Sequence, residues 1–169
     1  MYTGHAGLAL FAKSRSQRLS LALLVAVAFA PDWIEWALGA KRGTSTRATM
    51  LSHSIVAVAV GATLAALLAL AARRTWREAF TLFALYTSHW LVDFLTGRKP
   101  TWPHGPTVGL ALYDHPVLDF GMEALLCVAC SVAYLRTLPP GKGRIPRWSV
   151  PVGLVALQAA FNLGMQRST

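Results

Sequence analysis

Apolar positions along this chain come in long blocks, not in strict alternation. Residues 48–72 and 148–166 contain no Asp, Glu, Lys or Arg. Residues 19–38 and 117–135 carry two acids each, and residues 79–97 carry only Asp93. A helix of about 20 residues rises about 30 Å, the thickness of the hydrocarbon layer of a bilayer. The pattern predicts an all-α fold, a polytopic transmembrane helical bundle of about five membrane helices. Their expected bounds are 19–38, 48–72, 76–96, 117–136 and 148–166, with a short apolar segment at 3–12 before them. One membrane-embedded domain covers 1–169. Within it, 1–136 supplies the functional helices and a loop, and 137–169 a linker and the last membrane helix. Ala57, Gly61, Ala65 and Ala69 place a small residue at every fourth position, which lets a second helix approach closely. The connection 97–116, "GRKPTWPHGPTVGLALYDHP", carries four prolines and three glycines. Loops of that length in a compact domain are usually functional or disordered, and its apolar residues argue against disorder.

Composition sharpens this picture. The chain is 54% hydrophobic and 14% charged, against about 25% charged in ordinary soluble domains. Its formal charge is +9, but the basic residues lie in the short connections. That placement suits lipid headgroups and excludes a nucleic-acid-binding face. The expected partners are membrane lipids and a small-molecule or lipid substrate. The abundance of Arg over Lys, with much Ala, suggests a GC-rich bacterial genome, hence an inner-membrane location. Lys13, Arg15 and Arg18 followed by "LSLALLVAVAFA" imitate a signal peptide. Pro31 would follow the cut, however, and the apolar pattern continues through Trp33 and Trp36, so the segment is expected to be retained. Cys127 and Cys130 read as small packed residues, not as a redox pair.

The ionisable residues fall into one layer. Successive membrane helices alternate in direction. His5 therefore lies at the same level as Asp32 and Glu35, His53, the pair His89 and Asp93, and the pair Asp119 and Glu123. His89 and Asp93, at i and i+4, share a helix face. Charge inside a membrane is costly, and such residues face a cavity or one another. Imidazoles and carboxylates converging in one layer suit zinc or a similar divalent ion. His5, Asp32, His53, His89, Asp93 and Glu123 are the expected ligands. Arg42, Arg47, Arg98 and Lys99 lie in loops at the same face as candidate substrate-binding cations. His104 is a candidate catalytic contact from the loop, with Trp102 and Tyr113 as further contacts. The loops at 13–18, 73–77 and 136–147 hold ten Lys and Arg, against six on the opposite side. The positive-inside rule thus puts the ionisable layer at the outer face.

His5, "APDW" at 30–33, "SHS" at 52–54 and "SHWLVDFLTG" at 88–97 resemble, in this order, the bacterial membrane-bound metal-dependent hydrolase family. The resemblance covers about residues 3–125. The same order is similar to that of zinc-dependent phospholipases C, although Asp119 stands where those enzymes have a histidine. It implies a membrane metal-dependent hydrolase acting on a phosphoester or other ester of a lipid or amphiphile, with Asp32 or Glu123 as general base. The competing expectation is a non-catalytic metal-binding or transport membrane protein. Against an ion pathway, the lower halves of the helices, such as 61–72 and 125–133, are almost wholly apolar.

Overall fold

The computed structural model describes residues 3–38, 51–139 and 148–166. Seven α-helices follow in order among them: α1 (Thr3–Arg15), α2 (Leu21–Ala28), α3 (Ala30–Ala37), α4 (Ile55–Ala71), α5 (Trp76–Thr96), α6 (Pro116–Leu135) and α7 (Ser149–Gln166). The all-α expectation holds. Side chains start several of the helices by supplying acceptors for first-turn N–H groups. Ser20 accepts from Leu23 N at the head of α2, and Ser54 from Ala57 N at the head of α4. Thr75 and Glu78 form a reciprocal capping box at the head of α5. That gives Glu78, the acid outside the predicted layer, a purely local role.

The expected helix 19–38 is two helices that meet at Phe29 (φ −99°, ψ 2°). Pro31 causes the break. It has no N–H to give Val27, and its ring disfavours helical backbone at Ala30. The segment 3–12, expected to be a short preliminary, extends into the 13-residue α1. Among the described residues one helix, Pro116–Leu135, is both long and apolar enough to cross a membrane. Ile55–Ala71 and Ser149–Gly164 are apolar but shorter. The 17 residues of α4 rise about 25 Å, short of a typical hydrocarbon layer. The 21-residue α5 has the length, but Thr87, Ser88, His89, Asp93 and Thr96 dilute its apolar character.

Helix α5 packs on α4, and α1 on α6, which in turn packs on α7. The small-residue stripe on α4 serves as expected. A methyl group at Gly61 would overlap the Tyr86 ring, so the glycine is what lets α5 lie that close. Likewise Gly7 on α1 faces the backbone of Cys127 on α6. Ala9, Ala12, Leu24, Ala28, Ala69, Ala79, Leu82 and Leu85 form an apolar cluster between α1, α2, α4 and α5.

The connection after α5 has structure of its own. Strands β1 (Lys99–Pro100) and β2 (Thr107–Val108) pair antiparallel, with Lys99 opposite Val108. A 3-10 turn, Leu112–Asp114, then leads into α6. Two links pin this hairpin down. Ile55 N donates to Thr101 O (3.1 Å) and Leu110 N to Phe94 O (2.8 Å). At Gly109 φ is +150°, and an added Cβ would collide with the Gly97 carbonyl, so only glycine lets the chain return over the end of α5.

Candidate metal centre

The break before Pro31 shapes the site. Carbonyls at a helix end lack intrahelical partners, and Ala28 O, the last of α2, is taken by His89 Nδ1 at 2.8 Å. A carbonyl only accepts, so Nδ1 of His89 carries a proton, and the neutral ring presents a bare Nε2. His53 is set in the same way. Its Nδ1 lies 3.0 Å from Ser52 Oγ. The single Ser52 hydroxyl proton has two acceptors to choose from, Glu35 Oε2 (2.6 Å) and Pro31 O (2.8 Å). Ser52 Oγ must therefore accept from His53 Nδ1–H, which leaves Nε2 bare here too. Glu35 is buried and also accepts from Ser52 N (2.9 Å).

These two bare nitrogens face each other at 3.2 Å, and two carboxylate oxygens close the group. Asp32 Oδ1 lies 3.1 Å from His53 Nε2 and 3.6 Å from His89 Nε2. Asp93 Oδ2 lies 3.6 Å and 3.5 Å from the same two atoms. Four ligands around zinc at about 2.0–2.2 Å are separated by about 3.3–3.6 Å, the edge of the tetrahedron. Five edges between these four atoms measure 3.1–3.6 Å. Two imidazole nitrogens and two carboxylate oxygens this close suit a cation, and the donor set fits a divalent ion.

His5 extends the group on the other side of Asp93. Its Nε2 is 3.4 Å from Asp93 Oδ1, and its ring stacks on that of His89, with centroids 3.9 Å apart. His5 is 1% exposed, yet its Nδ1 has no hydrogen-bond partner. Two overlapping ligand groups result, His5–His89–Asp93 and Asp32–His53–His89. Asp93 offers one oxygen to each histidine set. Asp32 is the open side, its side chain 43% exposed, whereas those of His89 and Asp93 are at most 3% exposed.

Five of the six expected ligands thus converge. Glu123, also expected as a base, belongs to a neighbouring network instead. Its Oε2 lies 3.3 Å from Thr3 Oγ1, which donates to Gln158 Oε1 (2.6 Å). Gln158 Nε2 donates to Asn162 Oδ1 (2.8 Å). Glu123 and Asp119 are both buried, and each has one oxygen without a partner. Tyr113 stands between the two groups. Burial pushes its phenol up. A hydrogen bond with Thr96 pulls the other way, and the charges of Asp93, Glu123 and Asp119 add to the upward push.

The loop candidates separate. Lys99 Nζ reaches Asp93 Oδ2 at 2.8 Å. Arg98 is exposed. His104 sits exposed at the hairpin tip with φ +61°, and among the described residues it makes no side-chain hydrogen bond or ion pair. Arg42 and Arg47 lie outside the described residues. Sequence reasoning missed the positioning role of Ser52, whose signal was its adjacency to His53. It also missed Thr3, Gln158 and Asn162. The last two were visible as amides within an otherwise apolar segment.

Comparison with models of known protein families, with curated proteins and with solved structures finds no match.

Proposed function

We propose that the chain is a multi-pass helical membrane protein whose convergent His/Asp group binds zinc or a comparable divalent ion and hydrolyses an ester, foremost a phosphoester, of a lipid or amphiphile. The observation that carries this reading is the pair His53 Nε2 and His89 Nε2, 3.2 Å apart, with Asp32 Oδ1 and Asp93 Oδ2 each within 3.1–3.6 Å of both, the spacing of neighbouring ligands on one ion. The bound ion would supply an activated water at neutral pH and polarise the attacked group. The protein's own residues do the rest. Ala28 O and Ser52 hold both imidazoles in the ligating tautomer. Asp32, the exposed member, stands where substrate enters and serves as the general base. An opening at Asp32 supports catalysis over a closed structural clamp.

Membrane residence draws support from the distribution of polarity. Val56, Val60, Leu64, Leu67 and Leu68 of α4 are exposed, as are Val117 and Leu125 of α6 and Val152 and Leu163 of α7. His5, His53, His89, Asp93, Asp119, Glu123 and Gln158 are buried. Apolar outside with ionisable groups inside is what a lipid solvent favours and water does not. The test is hydrolysis of a phospholipid, an isoprenoid phosphate and a simple phosphodiester by the purified protein, with zinc and with chelator. Zinc-dependent turnover of any of them is expected. A protein that binds zinc and turns over none belongs to the non-catalytic class.

A further inference from the structure

The group around Asp93 contains one cation already. Lys99 Nζ lies 2.8 Å from Asp93 Oδ2, the same oxygen that faces His53 Nε2 and His89 Nε2, and the lysine side chain is only 13% exposed. The backbone that carries it is fixed. Lys99 pairs with Val108 across the hairpin, and Ile55 N, two residues after His53, donates to Thr101 O at 3.1 Å. The ammonium is therefore held at the site by the fold, unlike that of a mobile surface lysine. A partly buried lysine against a carboxylate, beside two imidazole nitrogens, is a counter-ion at a site that also suits a metal.

Charge counting gives it a purpose. Asp32, Asp93 and, behind Ser52, Glu35 carry three negative charges around two neutral imidazoles. A divalent ion alone leaves one of them unmatched, and the loaded site would repel an anionic ester. With Lys99 the balance closes. We propose that Lys99 is a built-in counter-ion that neutralises Asp93 until the metal binds and then, released from Asp93, holds an anionic oxygen of the substrate. This inference rests on the metal reading above and extends it to a substrate class, an ester bearing negative charge next to the bond that is cut.

The inference makes two opposed demands on one residue, which a merely structural lysine would not meet. Lys99→Met keeps most of the stem and removes the charge. Zinc should bind it roughly tenfold or more tightly than it binds the wild type, because like charges a few ångströms apart repel strongly away from bulk water. Inorganic phosphate, added to the zinc-loaded protein, should bind at least about tenfold more weakly. Lys99→Arg should keep phosphate binding. Arg136→Met, which removes an exposed charge at the far end of α6, should change neither affinity. Zinc is measured by competition with a chromophoric chelator and phosphate by calorimetry, with Lys99→Gln in reserve if Lys99→Met does not fold. If Lys99→Met binds zinc no more tightly, or phosphate as well as the wild type does, Lys99 is not this counter-ion. Should the wild type take up no zinc at all, the metal reading falls and this inference with it. Zinc uptake with unchanged Lys99 variants removes only the inference.

Discussion

Replacing Ser52 by alanine removes one hydroxyl that no ion would touch, and the account still requires it to weaken metal binding. Ser52 Oγ lies 3.0 Å from His53 Nδ1, 2.6 Å from Glu35 Oε2 and 2.8 Å from Pro31 O, in a residue 5% exposed. Without it His53 loses the acceptor that keeps the proton on Nδ1, and its Nε2 is no longer reserved for a ligand. Loss of such an orienting partner typically weakens metal affinity about 10–100-fold, which is about 1.4–2.7 kcal/mol. Stability falls separately. Glu35 keeps one donor, Ser52 N at 2.9 Å, and His53 Nδ1–H is left buried without an acceptor, together costing about 1–3 kcal/mol. Ser52→Thr retains the hydroxyl and should restore most of both losses. The assay is a zinc titration against a competing chelator in detergent, with helical circular dichroism followed against temperature at saturating chelator. A folded Ser52→Ala protein with wild-type zinc affinity would refute the tautomer argument, and with it the claim that Nε2 of His53 is a ligand.

His89→Ala and Asp93→Ala each remove a ligand from the centre of the group and should abolish most metal uptake, read by elemental analysis of the folded variants. Gly61→Ala drives a methyl group into the Tyr86 ring and should cost about 1–3 kcal/mol in thermal unfolding, with metal content per folded molecule unchanged. Acid should strip the metal, since protons compete for the same nitrogens and oxygens; retention of metal unchanged down to the pH of unfolding would count against imidazole ligation. Thr101→Cys in intact cells should react with an impermeant thiol reagent and Lys142→Cys should be protected, if the site faces outward as the basic loops suggest; the reverse pattern would invert the topology.

Much of the site was legible because helical spacing and alternating helix direction are geometric facts. His89 and Asp93 share a face whatever surrounds them, and His5, Asp32 and His53 follow once helix ends are stacked by level. Glu123 obeyed the same rule of level yet joined Thr3 and Gln158, because level says nothing about which way around its axis a helix is turned. The break at Phe29 was signalled by Pro31, but the apolar run continues to Leu38 and outweighed it. Its consequence, a freed Ala28 carbonyl that fixes His89, is a backbone effect that no side-chain pattern carries. The same limit applies to Lys99. Its loop position suggested an outward cation for substrate, whereas the hairpin turns it inward onto Asp93. The expected five membrane helices rested on run lengths, and helix breaks and caps shortened the runs. Gly61 shows the converse, since a stripe of small residues needs only local spacing to be read correctly.

The central claim is that His53, His89, Asp32 and Asp93 converge because an ion holds them together. Elemental analysis of the wild-type protein, purified without chelator, tests it most directly, paired with a melting curve before and after metal is added to the stripped form. The account predicts zinc or a comparable divalent ion near one or two per chain, and a melting temperature that rises when it is restored, since a ligand bound only by the folded state stabilises that state. No metal in the purified protein, with a melting temperature indifferent to added zinc, manganese or iron, would contradict it.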